Sequence, residues 1–261
     1  MDSSDTGRPA ALLAVAREAA ERAGALLRER FEAGPERTIT TKSTDTDLVS
    51  EADYAAQRSI RSVLDERRPG DGFLGEEGGD AAGSSGLRWI VDPLDGTVNF
   101  LFGIPQWCVS VAVCDGDGAV AGVVHDPIRA ETFAGVRGGA ASLNGRELTA
   151  SVKSDLATAL VATGFAYDAG VRAEQGAVVA RLISRARDIR RCGSAALDLA
   201  WTAAGRYDAY YERAVNQWDV CAGELLCRCA GLELRELPAA GVLPHGIMAA
   251  PAGLADELHR L

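Results

Sequence analysis

Trp89-Ile90-Val91-Asp92-Pro93-Leu94-Asp95-Gly96-Thr97-Val98-Asn99-Phe100, WIVDPLDGTVNF, is the stretch on which fold and chemistry both turn. Its first three residues are apolar or β-favouring and predict a buried strand that Asp92-Pro93 stops. Asp95-Gly96 then turns the chain toward a helix start at Thr97. Two acids therefore stand at the C-terminal mouth of a strand. They lie three residues apart around a proline, which fixes φ and removes one donor, so both carboxylates can converge on one point. Converging carboxylates repel one another unless a cation lies between them. Gly96 has no Cβ and lets the backbone approach a ligand, and the amides of Gly96 and Thr97 at a helix N-terminus suit a phosphate. A cation beside an anion seat is what phosphoryl chemistry requires. Asp-Pro and Asp-Gly are also ordinary turn dipeptides, so the rest of the chain has to supply corroboration.

Composition sets the frame. At 261 residues with 47% hydrophobic residues, the chain can bury a sizeable core as one large domain or two closely packed halves. A formal charge of −10 argues against a nucleic-acid or anionic-membrane surface and makes a phosphate substrate depend on local cation charge. The start, MDSSDTGRPA, is acidic and small, and no apolar run approaches about 18 residues, which predicts neither signal peptide nor membrane span and a cytoplasmic protein. Cys108, Cys114, Cys192, Cys221, Cys227 and Cys229 lie in apolar segments without C-x2-C spacing, which predicts buried free thiols.

Outward from the central stretch, residues 9–31 place Leu12, Leu13, Val15, Ala16, Ala19, Ala23, Leu26 and Leu27 at spacings of three and four before Gly34-Pro35 halts the pattern. Residues 38–42 form a short β-like run. Ser50 can cap a second helix reaching Arg67, with Asp53 completing a capping box. Residues 71–79 open from a strand into a glycine-rich loop carrying Glu76-Glu77, and residues 78–86 are loop by composition and a candidate flap. Strands follow at residues 107–114, 119–125 and 131–136. A second section has a strand at 160–163, a helix at 171–187 and an extended piece at 188–191. It continues with a helix capped by Ser194, a strand at 208–212, a helix beginning near Asp219, and a closing β-β-α run. His125, His245 and His259 sit in no ligand spacing, and no P-loop, GxSxG or HExxH motif is present. Hard-oxygen acids alone favour Mg²⁺ over zinc or copper.

DPLDGTVNF resembles the DP(I/L)DGTxN(F/Y) signature of the inositol monophosphatase family, Mg-dependent and lithium-sensitive phosphomonoesterases. Three further motifs fall in that family's order. Lys42 to Asp53 is similar to K(S/T)xxxD(L/I/V)V(T/S)xAD, with Asp47 and Asp53 on its acids; GEE recurs at Gly75-Glu76-Glu77; and WDx(A/S)(A/S)G resembles Trp218 to Gly223, with Cys221 where relatives usually carry alanine. The G(S/T)AA and DAYYE segments also match, at Gly193-Ser194 and at Asp208 to Glu212.

The resemblance implies a layered αβαβα sandwich of the α/β (α+β) class and a homodimer. It implies an N-terminal half, 1–150, with the main metal site, and a C-terminal half, 151–261, completing it, the two acting as one unit. The implied metal ligands are Glu76, Asp92, the Leu94 carbonyl, Asp95 and Asp219, holding two Mg²⁺ ions, with a third near Glu76 in some relatives. Asp53, Glu76 and Thr97 would be catalytic, activating a water for in-line attack. Asp95, Gly96, Thr97, Gly193, Ser194 and Glu212 would touch substrate. The implied substrate is inositol monophosphate, with histidinol phosphate as the alternative ester and a non-catalytic binding relative as a second alternative.

Overall fold

The computed structural model describes residues 7–34, 39–41 and 48–260. Helix α1 (Gly7–Glu32) buries Leu12, Ala16, Ala19, Ala23 and Leu27 of the expected face together with Ala20, whereas Leu13, Val15 and Leu26 flank that face and are only partly buried. Strands β1 (Ile39–Thr41) and β2 (Leu48–Ser50) pair antiparallel and lead into α2 (Glu51–Arg67). Residues 38 and 42, the ends of the expected β run, lie outside the described residues.

Helices α1 and α2 cover one face of an eight-stranded sheet. Its strands are β3 (Gly72–Gly75), β4 (Asp80–Ala81), β5 (Arg88–Asp95), β6 (Cys108–Asp115), β7 (Gly118–Asp126), β8 (Glu131–Val136), β9 (Ser142–Leu143) and β10 (Arg146–Glu147), in the order β10-β9-β8-β7-β6-β5-β3-β4. Only β3 and β5 run parallel; every other pair in this sheet is antiparallel. Period-two alternation sorts β6 cleanly. Val109, Val111 and Val113 join the core under α1 and α2, whereas Cys108, Ala112 and Cys114 join the core on the opposite face.

That opposite face packs on α5 (Ala195–Ala203) and α6 (Gln217–Cys229), and these two helices in turn carry a second sheet. Its strands, β11 (Leu160–Thr163), β12 (Asp188–Arg190), β13 (Ala209–Arg213), β14 (Glu233–Leu237) and β15 (Gly246–Ala250), lie in the order β12-β11-β13-β15-β14. Helices α4 (Ala169–Leu182) and α7 (Ala252–His259) close the outer side, where Leu182, Leu254 and Leu258 pack with Val161 and Met248. The result is the expected αβαβα layering. Among the described residues no helix is long and apolar enough to cross a membrane.

Four local expectations need correction. Asp92-Pro93 does not stop its strand, because β5 continues to Asp95 through a break in its pairing with β6. Residues 78–86 are not loop throughout: Asp80–Ala81 pairs back onto β3. The helix expected to reach residue 187 ends at Leu182, and the Arg187 amide instead donates to the Ala159 carbonyl beside β11. The thiols are free, yet Cys192, Cys221 and Cys229 are only half-buried.

Candidate active site

The irregularity in β5 is what brings the two acids together. Asp92 pairs with Ser110 and Asp95 with Cys108, so three steps along β5 match two along β6: one extra residue, a β-bulge. In a regular strand residues three apart point to opposite faces. The added residue returns Asp95 to the face of Asp92, toward α5 and α6. Pro93, which has no N–H to lose, lies inside the bulge. Gly96, at φ 99°, then turns the chain into α3 (Thr97–Leu101). A Cβ there would lie 2.9 Å from the Gln106 carbonyl oxygen, so the position needs glycine for both reasons.

The parallel neighbour β3 delivers Glu76. Gly75 is level with Val91, and the Glu76 amide donates to the Val91 carbonyl at 3.1 Å, which sets Glu76 abreast of Asp92. Asp219 arrives from α6, whose first turn it caps by accepting from the Asn216 amide at 2.6 Å. Both carboxylates of β5 are buried, at 2% exposure for Asp92 and 8% for Asp95. Burial, and then the charges of Glu76, Asp95 and Asp219, push Asp92 well above the carboxylate range. Burial, and then Glu76, does the same to Asp219. Burial raises Asp95 to about 6 against the pull of Ser194 and the Ala196 amide.

Asp53 joins from α2. Its Oδ2 accepts from the Ser50 amide and hydroxyl at 2.8 and 2.7 Å, completing the capping box. Its Oδ1 accepts from Thr97 Oγ1 at 2.8 Å. The cap and the pairing with the DGT threonine are therefore one carboxylate with two oxygens. Asp53 is fully buried, and burial raises its pKa despite the hydrogen bonds from Ser50 and Thr97. Asp47 and Lys42, from the same motif, lie outside the described residues.

The second half of the chain is tied to the first by short hydrogen bonds. Asp95 Oδ2 accepts from Ser194 Oγ at 2.6 Å and from the Ala196 amide at 2.7 Å, at the N-terminus of α5. Gly193 sits at φ 86°, where an added Cβ would lie 2.7 Å from Arg191 Nη1. Glu212 on β13 accepts from Tyr210 at 2.9 Å, and burial raises it to about 7. Glu76, Asp92, Leu94, Asp95, Gly96, Thr97, Gly193, Glu212 and Asp219 all line one cleft of about 410 Å³. Asp53 and Ser194 stand directly behind it, bonded to Thr97 and Asp95. A more apolar pocket of about 240 Å³ behind β13, lined by Val178, Tyr211, Met248 and Leu258, carries no carboxylate among the described residues.

Three contributors had no assigned role in the sequence. Asn99 donates to the Gln106 and Cys192 carbonyls at 2.7 and 2.8 Å, which pins the loop before Gly193 to the DGT turn. Among the described residues Arg191 is the one cation lining the cleft. Asp198, 1% exposed in the apolar run AALDLAWTA, leaves Oδ1 without a hydrogen-bond partner and is driven up by burial and then by Glu212. An acid inside so apolar a helix was the available signal.

Among the described residues no three His, Cys, Asp or Glu side chains are arranged as a closed metal site. As placed, the carboxylates are engaged with Ser194, Ala196, Asn216 and, for Asp92, with Glu76. The donor set nevertheless fits a hard divalent cation. It consists of oxygens only, and several buried carboxylates raise one another's pKa with, among the described residues, a single arginine in the cleft to offset them.

The sequence pattern of the inositol monophosphatase family matches residues 9–258. The chain belongs to that family. It is a phosphoric monoester hydrolase. Among members of the inositol monophosphatase family, the protein named inositol-1-monophosphatase SuhB in Mycobacterium tuberculosis strain H37Rv is 40% identical over 268 residues, covering 96% of this chain and 92% of its own. The Escherichia coli K12 protein named Nus factor SuhB is 39% identical over 222 residues, covering 84% and 83%. The solved structure of extragenic suppressor protein suhB from Bartonella henselae superposes with a TM-score of 0.89 at 35% identity, covering 96% of this chain and 97% of that one.

Proposed function

We propose that this phosphatase hydrolyses inositol monophosphate with Mg²⁺ as its cation, and that it acts as a cytoplasmic homodimer on a small phosphorylated metabolite. The observation that carries the reading is the Asp53–Thr97 hydrogen bond, 2.8 Å, set beside the acids of β5. Thr97 Oγ1 spends its proton on Asp53 Oδ1 and the Leu94 carbonyl, which leaves the oxygen's lone pair to accept from a water in the cleft. A threonine hydroxyl is a poor base alone; the buried carboxylate behind it, with its raised affinity for a proton, makes the pair a competent acceptor.

Glu76, Asp92, the Leu94 carbonyl, Asp95 and Asp219 would hold two Mg²⁺ ions, and a metal titration decides whether a third binds near Glu76. When bound, the ions supply positive charge to the phosphate and acidify water. Glu76 would orient the attacking water together with Thr97. The amides of Gly96 and Thr97 would face phosphate oxygens, and Asp95 would hold Ser194 and the start of α5 against the substrate. Gly193 leaves room for the leaving group, and Glu212 would accept from its hydroxyls. The halves 1–150 and 151–261 would work as one unit, since each supplies part of this cleft. Exposed Phe102 and Ile104, at 73% and 48%, offer an apolar surface consistent with a second copy. Neither the charge of −10 nor the cleft calls for nucleic acid or membrane.

The test is phosphate release from inositol 1-phosphate, histidinol phosphate, fructose 1,6-bisphosphate and adenosine 3′,5′-bisphosphate, with Mg²⁺ and then with EDTA. The expected result is Mg-dependent turnover led by inositol 1-phosphate. Preference for histidinol phosphate would keep the chemistry and replace the substrate. Silence toward every ester with Mg²⁺ present would leave a binding protein.

A further inference from the structure

Cys114 and Cys221 make a pair that the hydrolytic chemistry does not use. Cys114 lies on the face of β6 that meets α6, and Cys221 stands just past the first turn of α6, two residues beyond Asp219. Their sulfurs are 3.3 Å apart. The other thiols are engaged elsewhere: Cys108 with Asp95 and Ser194, Cys192 with Tyr207, Cys227 with the Leu199 carbonyl and Cys229 with the Val136 carbonyl. The helix approaches the sheet closely at this point, because a Cβ on neighbouring Gly122 would lie 3.1 Å from Ala222 Cα. Two short cysteine side chains therefore span the gap. Cys221 is half-buried, whereas Cys114 is 9% exposed.

We propose that Cys114 and Cys221 form an oxidative modification site, at which a low-molecular-weight disulfide such as glutathione disulfide links them and thereby slows the phosphatase. Cys221, the more accessible, attacks the glutathione disulfide and releases one glutathione; Cys114 then attacks the Cys221 sulfur and releases the second. The glutathione S–S bond breaks, one protein S–S bond forms in its place, and the two protons lost from the cysteines end with the electron pair on the two glutathione thiols. Closing the pair to the roughly 2.05 Å of a bond draws the start of α6 toward β6. That turn carries Trp218, whose carbonyl accepts from Ser110, and Asp219. The effect on turnover rests on the ligand role proposed for Asp219. Displacement of a positioned group by an ångström costs about 10²-fold, and a smaller shift here predicts a loss of roughly tenfold.

The experiment equilibrates the native protein in reduced and oxidised glutathione buffers, alkylates remaining thiols, maps peptides without reduction, and assays the same samples. The expected map links Cys114 to Cys221 and leaves the other four of the six cysteines alkylated. Activity falls roughly tenfold and returns with dithiothreitol. Cys221→Ala and Cys114→Ser remain unlinked and insensitive to the buffer; should one fold poorly, the other and the wild-type map still decide. A glutathione adduct on Cys221 with no link, or a link that leaves unchanged the turnover of an enzyme active in its reduced form, would overturn the proposal. The map needs no turnover, so a linked protein lacking phosphatase activity in every buffer would overturn the proposed function and support the pairing.

Discussion

At the scale of a residue, the sharpest demand falls on Asp53, which caps α2 with one oxygen and takes the Thr97 hydroxyl with the other. Thr97→Val keeps the shape and removes that hydroxyl. It leaves Asp53 Oδ1 buried without its donor, a cost of about 1–3 kcal/mol in stability. It also removes the proton path from water, for which a loss of roughly 10²–10⁴-fold in kcat is expected with little change in KM. Steady-state kinetics and a urea melt measure both; a variant with wild-type kcat would return Asp53 to a purely structural cap. That Glu76, Asp92, Asp95 and Asp219 meet at one cleft, with Asp53 behind Thr97, was legible only through four motifs in one order, since each acid alone reads as an ordinary turn or helix cap. Arg191 and Asn99 were not legible, because their positions depend on a meeting of the two halves, as when Asn99 reaches the Cys192 carbonyl, whereas Asp198 carried a signal in its apolar helix.

At the scale of an element, β5 and α3 act as a single device: strand, bulge, left-handed glycine, short helix. The sequence indicated both ends but put the break at Asp92-Pro93, since proline usually ends pairing and the extra residue that restores it is visible only against β6. The helix end at Leu182 was missed for a similar reason, because the Arg187 amide finds its partner on Ala159, 28 positions back by number. The device makes Gly96→Ala informative. At φ 99° an alanine is strained, and its Cβ meets the Gln106 carbonyl oxygen and Trp107. A loss of about 1–3 kcal/mol in a urea melt is expected, with turnover falling as Thr97 and Asp95 move apart. Unchanged stability would mean that the backbone at Gly96 is not fixed by the turn.

At the scale of the molecule, the question is whether residues 1–150 and 151–261 unfold together. The core around α5 and α6 contains residues of both halves: Ala112, Val124 and Phe133 share it with Leu197, Tyr210 and Leu226. Each half also has a carboxylate held below its ordinary value of 3.8. Burial tends to raise Asp71, but hydrogen bonds from Arg68, Ser85 and Trp89 outweigh it. Burial likewise opposes the Leu160 amide, Lys153 and Ser151 at Asp208, and loses. A depressed carboxylate contributes stability that is full above its unfolded pKa and is lost as pH falls through its folded pKa, since the unfolded chain binds the proton first. Stability should therefore drop below pH 3.8 on account of both groups, and Asp71→Asn or Asp208→Asn should each flatten that acid limb while lowering the urea midpoint at pH 7. If the halves form one cooperative unit, either substitution shifts a single transition seen identically by tryptophan fluorescence and by far-ultraviolet circular dichroism. Trp89 and Trp107 report on the first half, and Trp201 and Trp218 on the second. Two separable transitions, with Asp208→Asn moving only one of them, would show that the cleft is built between independently stable halves, and the proposed single unit would fail.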